Sequence, residues 1–320
     1  MSSLTANKAK PVMMTHFKSG LKKFKKQGQL QLMVIPGIIF IFIFSYIPMY
    51  GIIIAFKDYN IFDGVFGSSW VGLKHFKTFF NSPNLGLIFK NTVGISMLKT
   101  LFGFPGPIIF ALLLNELNSV YFKKTVQCIS YLPHFVSLVV VVGMVIRFTS
   151  TNGGLFNDIL MALNIIKEPI GFLSDPKYFW GVLIFIHCWK GIGWGSIIYL
   201  AAISGVDPAL YEAATIDGAN RFRKAIHVTI PGILPVVVIY MIFAVGGMMT
   251  GSGFDDIYLL RNPLTFDVAE TLSTYSFTMG ISQARYSFAT AIGLFTSIVS
   301  ITLTLFTNWL SKKVTENGLW

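Results

Sequence analysis

The sequence predicts an all-α membrane protein with six transmembrane helices and both termini in the cytoplasm. Three observations carry this. Mean hydropathy is +0.65, with 53% hydrophobic and 12% charged residues over 320 positions, too apolar for a soluble domain of that length. Apolar runs lie at approximately 31–56, 86–114, 125–147, 178–203, 232–249 and 286–309. Each approaches the roughly 20 residues that cross a bilayer, the fifth being short. Finally, lysines and arginines gather on alternate connections.

Those charges set the orientation. The arm 1–29 holds Lys8, Lys10, Lys18, Lys22, Lys23, Lys25 and Lys26. On the same face lie Lys123 and Lys124, then Arg221, Arg223 and Lys224 of the 205–231 loop, then Lys312 and Lys313. The opposite connections, 57–85, 148–177 and 250–285, carry fewer cations: Lys57, Lys74, Lys77, Lys167, Lys177, Arg261 and Arg285. The positive-inside rule then puts the first group in the cytoplasm. The expected organisation is a basic cytoplasmic arm at 1–29, a transmembrane domain at 30–310 with a cytoplasmic loop at 205–231, and a cytoplasmic tail at 311–320. The net charge of +11 follows this bias and does not indicate nucleic acid.

Met13, Phe17, Leu21 and Phe24 recur at helical spacing in the arm. They suit either an amphipathic helix on anionic lipid or a solvated tail. The first apolar run is too long for a cleavable signal and lacks a cleavage site. Pro36, Pro48, Pro105, Pro107, Pro133 and Pro235 interrupt spans, which membrane helices tolerate where neighbours or water satisfy the freed carbonyls. Gly191 and Gly195 form a small-xxx-small pair in the fourth span, and Ala289, Gly293 and Ser297 a small face in the sixth. Such faces allow close helix packing. Cys128 and Cys188 lie inside apolar runs, which argues against a disulfide framework or a zinc site. The outer connections are rich in aspartate, aromatics, Gly and Asn, and read as ordered surfaces.

The loop at 205–231 is the most informative segment. Asp207-Pro208 starts a helix, since Asp caps free amides and Pro at the first position loses no needed hydrogen bond. Val206 and Tyr211 have hydrophobic-staple spacing. Ala209 to Ala214 favour helix and Gly218 breaks it. A second helix is expected from about Ala219, with Phe222, Ala225, Ile226 and Thr229–Ile230 as its apolar stripe. Pro231 is expected to mark the turn into the fifth span. Ala213 and Ala214 present a thin surface fit for a groove on another protein, and Glu212 and Asp217 add orienting charge.

The run Tyr211-Glu212-Ala213-Ala214-Thr215-Ile216-Asp217-Gly218-Ala219, closed by Val228-Thr229-Ile230-Pro231, resembles the cytoplasmic coupling loop of ABC importer permeases. Val71-Gly72-Leu73-Lys74-His75-Phe76, Leu132-Pro133 and Ala289-Thr290-Ala291-Ile292-Gly293-Leu294 extend the resemblance over the chain from about residue 30. They point to the type I transmembrane domain of the maltose-type, carbohydrate-uptake branch, with most likeness to its polysaccharide-type permeases. Val228 and Ile230 depart slightly from the usual Ile and Leu. The resemblance implies that Glu212, Ala213, Ala214, Asp217, Gly218, Ala219 and Pro231 couple to an ATPase. It also implies a second homologous permease, two ATPase subunits and an extracytoplasmic solute-binding protein as partners, in a bacterial inner membrane. Oligosaccharide import by alternating access is the implied activity.

No catalytic set and no cofactor site is expected on this chain. It contains no Gly-Lys dipeptide and so no G-x-x-x-x-G-K-[ST] loop. ATP and Mg are thus expected on the partner ATPases. Lys99 and Lys190 are costly at membrane depth unless they face protein or water, and Trp189 flanks Lys190 with Trp194 nearby. They are candidates for a pathway that takes an acidic sugar. The plainer reading is that the lysines snorkel or pair and the tryptophans pack. An importer of amino acids, peptides or polyamines is the alternative within the class. A secondary transporter is less favoured, because no acidic residue lies deep in the six runs.

Overall fold

The computed structural model describes residues 28–250 and 253–319. The basic arm with its Met13–Phe24 pattern lies outside the described residues. The chain divides into two compact units, Met1–Ile53 and Ile54–Trp320. In the first unit, the helix from Gly28 to Ile41 carries Pro36 and buries no residue. A π turn over Phe42–Tyr46 follows, and helical turns continue to Phe56. A helix apolar on all sides belongs in lipid or against another chain.

In the second unit the spans at Leu85–Asn115, Pro176–Ser204, Arg221–Gly246 and Tyr286–Thr315 are long and apolar enough to cross a membrane. With Gly28–Phe56 they make five among the described residues, or six if a bent pair counts as one. That pair is the third span. Val120–Phe135 and Leu138–Phe148 meet at 95° instead of forming the single run expected at 125–147. Pro133 lacks an amide hydrogen and crowds the carbonyl four residues back. The helix ends two residues later, and Val136 and Ser137 are extended at ψ 130° and 136°.

The fifth span also departs from expectation. Helical turns run without a corner from Arg221 to Gly246, so Pro231 lies within the helix and the turn is upstream. A π turn over Ala225–Thr229 precedes Pro231. Its wider winding accommodates a ring that would press on an α-helical carbonyl.

The fourth span is the hub. It packs on both halves of the second span, on the first half of the third and on the fifth, while the sixth packs on the fifth. Gly193 makes the closest approach, because a Cβ there would collide with the Ser130 carbonyl. A Cβ at Gly195 would meet Pro107, but one at Gly191 would meet nothing within 4 Å. The contact residues are therefore Gly193 and Gly195, not the expected pair. In the sixth span, Gly293 is similarly open and Ser297 is exposed. Ala289 does serve close packing, against Gly280.

The connections opposite the 205–231 loop are folded. A minimal antiparallel pair, Lys57–Asp58 with Ser69–Trp70, is an exception to the all-α architecture. The 250–285 connection is stitched to the spans by side chains. Asn91 Nδ2 donates to the carbonyls of Asp267 (2.8 Å) and Glu270 (3.0 Å). Leu272 N–H donates to Thr92 Oγ1 at 2.9 Å, and Trp180 Nε1 to the Val268 carbonyl at 2.8 Å. Its helix Phe254–Leu260 buries Ile257 and Leu260 with Ile95, Val141, Phe179 and Leu183.

Gly193→Ala is expected to destabilise the protein by about 1–3 kcal/mol, an overpacking cost. Gly191→Ala is expected to be neutral or slightly stabilising, by a few tenths of a kcal/mol up to ~1. Thermal melting of the two variants in detergent checks the contrast.

Candidate functional site

The 205–231 loop forms the two helices and Gly corner that its sequence implies. Asp207 caps Pro208–Ile216 by accepting the Ala209 amide at 2.9 Å. The other end closes as a Schellman motif. Gly218 N–H donates to the Thr215 carbonyl (3.0 Å) and Ala219 N–H to the Ala214 carbonyl (2.9 Å). Gly218 has φ +74°, a conformation that side chains resist, although a Cβ there would have open space. Asn220 then caps the second helix, accepting the Arg223 amide at 2.9 Å, so that helix starts at Arg221 rather than Ala219.

Two side-chain bonds brace the corner. Lys224 Nζ donates to Thr215 Oγ1 at 2.7 Å, and the Tyr211 and Thr229 hydroxyls lie 3.0 Å apart. Glu212, Ala213, Asp217 and Gly218 are exposed, while Ala214 and Ala219 are half-buried. Ile216 is 87% exposed and Phe222 73%. The predicted apolar stripe is thus split. Thr229 is buried and Ala225 half-buried, but Phe222 and Ile226 point outward. Ile216, absent from the sequence-based set, joins Phe222 as an exposed apolar group beside the Glu-Ala-Ala turn.

A second cluster lies near mid-span. Lys99 Nζ donates to Asp256 Oδ2 at 2.6 Å, with the two side chains only 7% and 9% exposed. Asp256 comes from the connection after the fifth span, so the ammonium is neutralised by a residue assigned outside the membrane runs. Lys190 Nζ donates to the carbonyls of Pro133 (2.9 Å), His134 (3.4 Å) and Val136. These carbonyls belong to the helix end that the third-span break exposes. Three ammonium hydrogens meet three of its acceptors. Lys99 thus pairs with a carboxylate of another element, and Lys190 bonds backbone carbonyls of the third span.

Two cavities border this cluster. One, of about 480 Å³, is lined by Lys99, His187, Gly191, Tyr199 and Tyr240 among others. The other, of about 260 Å³, is lined by His134, His187, Lys190, Gly191 and Asp256 among others. Trp189 and Trp194 line neither. Trp194 instead stacks on His134 at 4.5 Å, and Trp189 is exposed. At the end opposite the 205–231 loop, Lys74, Lys77, Tyr275 and Arg285 border a hollow of about 720 Å³. Lys74 donates to Asp58 at 2.7 Å there and holds its carboxyl below the usual range.

Residues 103–316 match the family described as the binding-protein-dependent transport system inner membrane component. The chain belongs to this family. It is a membrane-embedded transport permease of the ABC importer class, with the type I fold, and not itself an enzyme. Protein LplB of Bacillus subtilis (strain 168) is 41% identical over 302 residues, 94% of both chains. The polygalacturonan/rhamnogalacturonan transport system permease protein YteP of the same strain is 43% identical over 300 residues, 94% of this chain and 92% of that one. A chain of a bacterial alginate ABC transporter, solved with an alginate pentasaccharide-bound periplasmic protein, superposes with a TM-score of 0.84. It is 39% identical over 93% of this permease and 99% of that chain.

Lys190→Ala is expected to leave the broken helix end without its donors and to destabilise the permease by about 1–3 kcal/mol. Thermal melting in detergent tests this, and Lys190→Arg, which keeps several donors, is expected to recover most of the loss.

Proposed function

We propose that this permease imports an acidic, glycan-derived oligosaccharide handed over by an extracytoplasmic solute-binding protein. The observation that carries the reading is its similarity, over nearly the whole chain, to permeases named for polygalacturonan/rhamnogalacturonan and alginate transport. Lys99, Lys190, His134 and His187 border the mid-span cavities beside Asp255 and Asp256, a polar lining that suits a charged cargo. The basic hollow of Lys74, Lys77 and Arg285 suits the approach of the loaded binding protein.

In this reading the chain pairs with a second, homologous permease, and two ATPase subunits supply ATP and Mg chemistry. The termini and the 205–231 loop face the cytoplasm, as the positive-inside rule requires. The ATPase receives the turn around Glu212–Gly218, with Ile216 and Phe222 as apolar anchors. Closure of the ATPases swings the loop, and the continuous Arg221–Gly246 helix carries the movement into the membrane. The mid-span cavities then change the side to which they open. Coupling of this kind needs two states and an element that both sites bias.

Reconstituting the complete transporter and measuring binding-protein-dependent ATP hydrolysis with acidic and neutral oligosaccharides tests the proposal. Stimulation by the acidic set is expected. Stimulation by neutral sugars alone would overturn the cargo, and failure to copurify with any ATPase would overturn the assembly. Gly218→Val forces a side chain into a left-handed conformation at about 1–2 kcal/mol. It is expected to insert normally yet lose most of the stimulation. Ile216→Asp is expected to weaken copurification with the ATPase about tenfold, an effect of roughly 1.4 kcal/mol.

A further inference from the structure

We propose that the Lys99–Asp256 pair is a carboxylate-exchange site, at which an acid group of the cargo takes the place of Asp256 on the Lys99 ammonium. The inference rests on the acidic-oligosaccharide reading and adds the residues that would enforce it.

Position is the first ground. Lys99 lines the larger cavity and Asp256 the smaller one, while His187 and Gly191 border both. The ion pair therefore stands between two adjoining spaces, and a solute moving from one to the other passes it. The larger space, about 480 Å³, is of a size that holds small ligands.

Chemistry is the second ground. A buried ammonium tolerates loss of its carboxylate only if another anion replaces it. A neutral sugar offers hydroxyl groups and leaves the charge uncompensated. A uronate offers the same functional group that departs, so the ammonium stays paired, while Asp256 keeps only the Ile257 amide and regains Lys99 once the cargo leaves. Lys190 cannot play this part in the same way, because its partners are neutral backbone carbonyls and no carboxylate is there to be exchanged.

The third ground is how Asp256 is held. Its Oδ2 accepts from Lys99, while its Oδ1 accepts the Ile257 amide at 3.0 Å. It sits in the first turn of Phe254–Leu260, after Gly253 at φ +83°. A Cβ on Gly253 would clash with both Lys99 Nζ and the Asp256 carboxylate. Releasing Lys99 thus leaves Asp256 bonded within its own helix turn. The pair joins the middle of the second span to the turn that follows the fifth, the same span that continues from the coupling loop.

The test uses the complete transporter in liposomes with trigalacturonate and its methyl ester, each at saturation of the binding protein. In the wild type, uptake and stimulated ATP hydrolysis are expected to favour the acid by at least tenfold. The double variant Lys99→Gln/Asp256→Asn replaces the pair with neutral amides and is expected to bring the ratio within twofold. Asp256→Asn alone keeps the ammonium and is expected to raise the ratio several-fold. It also serves if the double variant fails to assemble. A tenfold preference persisting in the double variant, or an unchanged ratio in Asp256→Asn, overturns the exchange site and leaves the acidic cargo standing. Equal transport of acid and ester by the wild type overturns the exchange site alone. If the wild type transports neither compound, the cargo reading fails and this inference fails with it.

Discussion

A charged amine in the middle of a bilayer must find its compensation inside the protein, since lipid offers none and water is distant. Two lysines impose that constraint on this permease, and the third-span break and the turn after the fifth span lie where they are satisfied. Lys190 is met by carbonyls that an unbroken third span would have kept for itself. Lys99 is met by a carboxylate carried inward on the turn after the fifth span. The break, the inward turn and the cavities between them occupy one level of the bundle.

The 205–231 loop follows a different logic. Its polar groups face water, so shape and not compensation decides its form. Asp207, Gly218 and Asn220 each fix one helix end through a short-range bond or a left-handed turn. The result is a corner whose geometry is set locally. Its exposed apolar groups, Ile216 and Phe222, suit a partner's groove better than solvent. Rigid corner and continuous helix suit the proposed role of a lever, whereas a flexible loop of the same composition would absorb motion.

Much of this was legible in the sequence. Span number, the Gly corner and the asymmetry of charge follow from hydropathy, capping chemistry and counting, all of which act over short windows. The misplaced features share a cause. Hydropathy averages over a run and so passes through the Pro133 break, because apolar residues continue on both sides of it. Asp256 does belong to the 250–285 connection, but only the fold shows that this connection turns back to bring it onto Lys99. Gly191 and Gly193 are indistinguishable by spacing alone, and only the approach of Ser130 separates them. Helical periodicity puts Phe222 on the apolar stripe, and the π turn downstream disturbs that periodicity. Two signals were available: a proline within an apolar run, and a mid-span lysine in want of acceptors.

That π turn has a geometric consequence. An α-helix advances about 100° per residue, and a π turn amounts to one residue added without breaking the helix. The Ala225–Thr229 turn therefore sets the angle at which the Arg221 end of the rod faces relative to its membrane half. The direction in which the corner points is thus fixed by the chain's own winding before any partner arrives. Evolution could re-aim it for a differently shaped partner by gaining or losing a single residue, with every membrane contact of the span left in place.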